Sequence, residues 1–171
     1  KSAFRGFTEH GLHLRGAEAR VAGSRFEVVP SEAPEGKLPV AIRAEALGLV
    51  VLTPDRLRDP AAQASIAALA PDLAVLADYG RIVPQALLDL PPYGALNLHP
   101  SLLPRHRGAT PIPAAIAAGD PETGVSLMRM DAGIDTGPLI AQVRVPLDGT
   151  EAAPDLEARL ARIAGELLIA S

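Results

Sequence analysis

Two short stretches of the 171-residue chain carry polar side chains where the surroundings read as core. In Ala95-Leu-Asn97-Leu-His99-Pro100, Leu96 and Leu98 alternate with Asn97 and His99 at the period of a strand, so the two polar residues share one face. Pro100 has no N–H to donate and ends the ladder just after them. Further along, Asp131-Ala-Gly133-Ile-Asp135-Thr-Gly137 follows an apolar run and must turn the chain twice, with Asp135 held between two glycines. An amide donor, an imidazole that exchanges protons near neutral pH and a carboxylate are groups able to stabilise a developing oxygen charge and to move a proton. Each has a plainer reading when taken singly. Asn or His at a strand end is commonly a satisfied hydrogen-bonding group, and Asp between glycines commonly forms its own turn. Two polar residues on one strand face, beside loops rich in Gly and Pro, favour a site at the end of a sheet.

The elements that must position these residues alternate between strand and helix. Residues 1 to 24 show neither a clean strand nor a helical period, Arg25 to Val29 reads as a short strand, and Pro30 to Pro39 as a loop. Val40 to Leu47 has helix formers closed by Gly48 as a left-handed cap, and Leu49 to Leu52 has the pattern of a buried strand. Asp59-Pro60 is an N-cap and first-turn pair that opens a helix lasting until Pro71. Leu73 to Ala77 is the next strand, Pro84 to Leu90 a short helix, and Ala95 to Leu98 the strand that carries Asn97. Thr110-Pro111 starts a helix that Gly119 ends. Val125 to Met130 and Leu139 to Val145 are then two strands with no helix between them, the second showing Leu139, Ala141, Val143 and Val145 on one face. Leu156, Leu160, Ile163 and Leu167 form the stripe of an amphipathic helix. This order predicts an α/β fold: a mostly parallel sheet with helices on both faces and a ligand crevice beyond the carboxyl ends of its strands.

Composition narrows the function classes. The length suits one domain with a real core. Hydrophobic residues make up 48% and charged residues 21%, and the apolar runs fall short of the roughly 20 residues needed to span a bilayer. With no cysteine there are no disulfides and no thiolate metal sites, and the start of the chain carries no secretion signal, so the expected location is the cytoplasm. His99 and His106 have no partnering Cys and no His pair lies at helical i, i+4 spacing, so no metal is expected. A net charge of −4 gives no general pull toward nucleic acid, and 3% aromatic residues provide no stacking platform, so any RNA contact must be local. Neither a GxGxxG nor a Walker sequence indicates a dinucleotide or a nucleoside triphosphate.

The two halves of the candidate site also carry a resemblance. Asn97-Leu-His99-Pro-Ser-Leu-Leu-Pro104, followed by Asp131-Ala-Gly-Ile-Asp135-Thr-Gly137, resembles the signature of the folate-dependent formyltransferases. Arg105-His-Arg-Gly-Ala-Thr-Pro-Ile112 and Ala118-Gly-Asp-Pro-Glu-Thr-Gly124-Val are most similar to the branch of that family that formylates methionyl-tRNA. The similarity runs from about Val40 onward, whereas Phe4-Arg-Gly6-Phe7-Thr8-Glu9 is a distorted echo of the family's first turn. The resemblance implies a Rossmann-like formyltransferase fold, with residues 1–171 as its catalytic domain, the first 39 atypical, and the family's barrel-like second domain absent beyond Ser171.

It also implies 10-formyltetrahydrofolate as formyl donor, without a metal, and initiator methionyl-tRNA as acceptor, in a monomer with no membrane association. Asn97 would donate to the oxyanion, His99 would transfer protons, and Asp135 would orient the imidazole and favour its charged form. Ser101, Leu102, Leu103 and Pro104 would lie against the folate, with Tyr79, Gly80 and Ile82 shaping the rest of its slot. Arg105 and Arg107 would meet tRNA; the plainer alternative is a solvated basic turn. Three other readings stay open. An amino sugar or a nucleotide could be the acceptor, and the chain could be a folate-binding fragment with little activity. Ser101, His99 and Asp135 are also the residue types of a serine hydrolase, although no Gly-x-Ser-x-Gly turn exposes Ser101.

Overall fold

The computed structural model describes residues 39–79 and 82–171, together with the backbone of two short strands, β1 (Ala19–Val21) and β2 (Ser24–Phe26), which pair antiparallel. The strand expected at Arg25 to Val29 overlaps β2, and residues 27–29 of it lie outside the described residues, as do most of the loop that follows, Gly80 and Arg81.

Helix α1 (Pro39–Ala46) ends as its sequence indicates. Gly48 takes φ +67°, and the Leu49 N–H donates to the Ala44 carbonyl at 2.9 Å, closing the last turn. Leu49 to Leu52 is not a strand: no ladder partner reaches it among the described residues, and Val50 stays 56% exposed. Helix α2 (Pro60–Ala67) begins at Pro60 behind an extended Asp59, whose side chain makes no capping bond; the fixed φ of proline sets this start. Strand β3 (Ala74–Ala77), helix α3 (Gln85–Leu88), strand β4 (Ala95–His99), helix α4 (Pro111–Ala117), strands β5 (Glu122–Arg129) and β6 (Leu139–Pro146), and helix α5 (Ala153–Ala170) complete the order. No helix among the described residues is long and apolar enough to cross a membrane.

Strands β3 to β6 form one sheet in sequence order. β3 and β4 are parallel, while β4–β5 and β5–β6 are antiparallel, so the Rossmann-like layering is present in a sheet that is mixed over the described residues rather than mostly parallel. The cause lies in the connections: a parallel pair needs a crossover, and β5 turns directly into β6 through a loop with no helix. Helices α4 and α5 cover one face. Leu98, Ile112, Val125, Leu127, Val145, Leu156, Leu160 and Leu167 make the main core there, and each fully buried Leu stabilises the fold by about 1.5–3 kcal/mol. Leu57, Ile66 and Leu87 form a smaller cluster that holds α2 and α3.

The strand period decides where the polar residues go. Leu98 is in the core under α4 and α5, with Leu96 packed against it, so Asn97 and His99 face the other side of the sheet. They register opposite Met128 and Ser126 of β5. The loop between β5 and β6 is folded by Asp131, whose Oδ1 accepts from the Gly133 N–H at 2.9 Å and the Thr136 hydroxyl at 2.8 Å. A Cβ on Gly133 would collide with Thr136, and one on Gly137 with the Arg129 carbonyl oxygen, so both positions need glycine for space. Because Asp131 organises the turn, the Asp135 carboxylate is released to reach β4.

Candidate active site

Asp135 joins the two halves of the site. It adopts φ +50°, a left-handed conformation that Asp tolerates better than most residues. Its Oδ1 accepts from Asn97 Nδ2 at 3.2 Å, and its Oδ2 accepts from the Gly108 N–H at 2.8 Å. His99 Nδ1 lies 3.5 Å from the same Oδ2, within ion-pair reach but long for a hydrogen bond. A carboxylate only accepts, so Asn97 must present its NH₂ group there, which leaves its second amide N–H for another acceptor. On the far side of the ring, His99 Nε2 is 2.9 Å from the His106 carbonyl oxygen. That oxygen also only accepts, so Nε2 carries hydrogen and Nδ1 is the nitrogen turned toward Asp135. His99 is 4% exposed and the Asp135 side chain 13%, so these contacts face little competing water.

The loop after β4 is fixed from beneath. Ser101 is fully buried, and its hydroxyl donates to the Arg105 carbonyl at 2.6 Å. Ser126 accepts from the Leu103 N–H at 3.0 Å and donates to the Ser101 carbonyl at 2.7 Å. Its cross-strand neighbour Gln142 donates to Ser126 Oγ at 2.7 Å and to the Leu103 carbonyl at 3.0 Å. Leu102 packs over Gly124, where a Cβ would strike both its side chain and the β6 backbone. The Ser101 side chain is thus spent on holding the loop, and what residues 101–104 offer a ligand is their shape and Leu102, which is half-buried. A serine-hydrolase arrangement is excluded by the same geometry, since His99 bonds to the His106 carbonyl and Ser101 to the Arg105 carbonyl. Tyr79 is half-buried and Ile82 is 71% exposed, while Gly80 lies outside the described residues.

The two arginines separate. Arg105 pairs with Asp120 at 2.5 Å, whereas Arg107 is exposed and makes no ion pair among the described residues. Asp120 also takes a hydrogen bond from His106 Nε2 at 2.6 Å and is itself nearly buried. The His106 hydrogen bond is the largest influence on the Asp120 carboxyl; burial opposes it, and the Arg105 cation adds to it. The net effect holds the carboxyl below its ordinary value of 3.8. A carboxyl lowered on folding stabilises the native state above its unfolded pKa, and that contribution is lost as pH falls through the folded value. Urea unfolding from pH 5 down to pH 3 should therefore show the stability gap between the parent and Asp120→Asn closing as the carboxyl protonates; a gap that widens in acid would contradict the ion-pair geometry.

Residues 18–171 match the family model described as formyl transferase. The chain belongs to the formyl transferase family. It is 52% identical over 150 residues to the methionyl-tRNA formyltransferase of Rhizorhabdus wittichii, an alignment covering 88% of this chain and 46% of that protein. It is also 52% identical over 131 residues to the enzyme of the same name from Thermus thermophilus, covering 77% and 43%. The chain thus spans about half the length of the curated relatives it matches. Among solved structures, phosphoribosylglycinamide formyltransferase from Streptococcus pneumoniae superposes with a TM-score of 0.69 at 31% identity, over 80% of this chain and 79% of that one. Around the candidate site, reading the sequence missed the Gly108 N–H, the Ser126–Gln142 brace, Asp120 and the His106 carbonyl. Two of these are backbone groups with no side-chain signature, and Asp120 stands in Gly119-Asp120-Pro121, which reads only as a turn.

Proposed function

We propose that this chain is the catalytic domain of a cytoplasmic, monomeric enzyme that transfers the formyl group of 10-formyltetrahydrofolate to the amino group of initiator methionyl-tRNA. The observation that carries the reading is the Asp135 carboxylate set between the Asn97 amide and the His99 imidazole. The names of relatives at about half identity support the acceptor. In the reaction the amine nitrogen forms a bond to the formyl carbon, charge gathers on the formyl oxygen, and the bond from that carbon to the folate nitrogen then breaks. The free N–H of Asn97 stabilises the oxygen charge. His99 takes the proton that the incoming amine must lose and returns one to the leaving nitrogen, while Asp135 balances the imidazolium. No side-chain nucleophile is needed, because the amine itself attacks.

A flat pteridine needs an apolar slot edged by backbone donors and acceptors, and the braced loop 101–104 with Leu102 can give one such edge, whereas Tyr79 packs against the Leu57, Ile66 and Leu87 cluster and Ile82 is exposed. Arg107 is the side chain free to meet an RNA phosphate, since Arg105 is tied to Asp120. Arg107→Ala should raise the KM for methionyl-tRNA several-fold, flatten its salt dependence by about one phosphate contact, and leave folate binding unchanged. A fall in folate affinity instead would move this loop into the donor pocket.

A second reading, with an amino-bearing nucleotide as acceptor, is supported by the solved phosphoribosylglycinamide formyltransferase at 31% identity and glycinamide ribonucleotide transformylase at 34%. Formyl transfer from 10-formyltetrahydrofolate, measured side by side on methionyl-tRNA and on glycinamide ribonucleotide, separates the two. Turnover of methionyl-tRNA alone supports the first, turnover of the nucleotide alone the second, and folate binding with no turnover of either favours a binding fragment.

A further inference from the structure

We propose that Asp120 is a positioning residue for His99: by gripping the His106 ring and the Arg105 guanidinium it holds the His106 backbone so that its carbonyl fixes the hydrogen on His99 Nε2 and turns Nδ1 to Asp135. This deepens the proposed reaction and rests on His99 being its proton carrier.

The argument begins with the backbone. His106 takes φ +52°, a left-handed conformation that a side chain bearing a Cβ adopts only at some cost, so something must hold it. Arg107 on one side is exposed, and Gly108 at φ +95° is a permissive position. The chain is tied on both sides, the Arg105 carbonyl to Ser101 and the Gly108 N–H to Asp135, but neither bond acts on the His106 side chain or its carbonyl. Asp120 provides the grip, with Oδ2 at 2.6 Å from His106 Nε2 and Oδ1 at 2.5 Å from Arg105 Nη2, so both of its oxygens hold consecutive residues of one turn. Asp120 is itself anchored: its side chain is 6% exposed, and its N–H donates to the Ala115 carbonyl at the end of α4. Position is thus transmitted from the helix end through Asp120 to His106.

The next link is the His106 carbonyl, 2.9 Å from His99 Nε2. A neutral imidazole has one donor and one acceptor nitrogen, and a carbonyl selects the tautomer with hydrogen on the nitrogen facing it. With that carbonyl in place at 2.9 Å, a neutral ring keeps its hydrogen on Nε2, and Nδ1, at 3.5 Å too far from the Asp135 carboxylate for a good hydrogen bond, is left as the nitrogen open to a proton. Were the His106 peptide to rotate, Nε2 would lose its acceptor and the ring would be free to place its hydrogen on either nitrogen. An imidazole held in the wrong tautomer costs an enzyme orders of magnitude in rate even where its position is kept.

The test is nitrogen–proton correlation spectroscopy of the 171-residue chain labelled with ¹⁵N-histidine, with the His99 signals assigned by their loss in His99→Ala. The parent should show His99 as the Nε2–H tautomer. Asp120→Asn, which keeps the shape and removes the charge, should shift His99 toward a mixture of tautomers and lower kcat about tenfold to a hundredfold, with the KM for folate unchanged. His106→Ala, in which Asp120 keeps Arg105, covers the case in which Asp120→Asn does not fold and should give the same spectral change. His106→Asn, which tolerates the left-handed backbone and can still bond to Asp120, should restore much of the parent signal. A pure Nε2–H tautomer in folded Asp120→Asn or His106→Ala overturns the proposal. The tautomer is read without substrate, so a wrong acceptor assignment would leave this result standing.

Discussion

Asp135→Asn is expected to lower turnover by about 10³–10⁴ while leaving the fold intact, since replacing the carboxylate that orients a catalytic imidazole has an effect of that order elsewhere. The size follows from how many groups meet at this carboxylate. It accepts from the Asn97 amide and the Gly108 N–H and faces His99 Nδ1. An amide in its place can serve only one side as acceptor, because its NH₂ end would confront either the Asn97 NH₂ at the Oδ1 position or the Gly108 N–H at the Oδ2 position beside the ring. The charge that balances an imidazolium is lost at the same time. Combining Asp135→Asn with His99→Ala should add little to the larger single loss, because groups acting as one unit are not additive. Rates for both single variants and the double variant decide the matter. Fully multiplicative losses would return Asp135 to the role of a turn former.

For Asn97→Ala a loss of about 10²–10³ in kcat is expected, the usual result of removing one donor to an oxyanion. Folding should change little, since Asn97 is only half-buried and its one side-chain hydrogen bond among the described residues goes to a carboxylate that Gly108 continues to satisfy. Folate affinity should also hold, because the braced loop 101–104 does not depend on Asn97. Steady-state kinetics beside equilibrium folate binding tests both statements. A variant within threefold of the parent would remove Asn97 from the chemistry, and a fall in binding with kcat preserved would make it a donor-pocket residue.

Much of this was legible residue by residue. The period-2 pattern of Ala95 to His99 placed Asn97 and His99 on one face, and Pro100 marked the end of their strand, because side-chain direction in a strand depends only on local geometry. Gly48 as a helix cap, the start of α2 at Pro60 and the stripe of Leu156, Leu160 and Leu167 on α5 are local in the same way. Leu49 to Leu52 fails for the complementary reason. A strand exists only where a second strand offers its hydrogen bonds, and four apolar residues in a row cannot reveal whether a partner is there. The direction of β5 and β6 within the sheet likewise belongs to the connections between strands and not to either strand's residues.

The sequence by itself determined the site's parts: an amide and an imidazole on one strand face, a carboxylate in a glycine-bounded loop, and a family signature that links them. What only the tertiary structure decided is how they are joined. Asp131 closes its own turn, so that Asp135 is free to cross to β4; Ser101 turns inward to hold a loop; and Arg105 is bound to Asp120, while Arg107 is not. The His106 carbonyl selects the hydrogen on His99. Apart from the local Asp131 turn, each of these depends on a hydrogen bond between segments that are separated in the chain, or on a backbone group common to every residue type. Such bonds form according to which donors and acceptors the packed sheet and loops bring within about 3 Å, and that distance is a property of the fold.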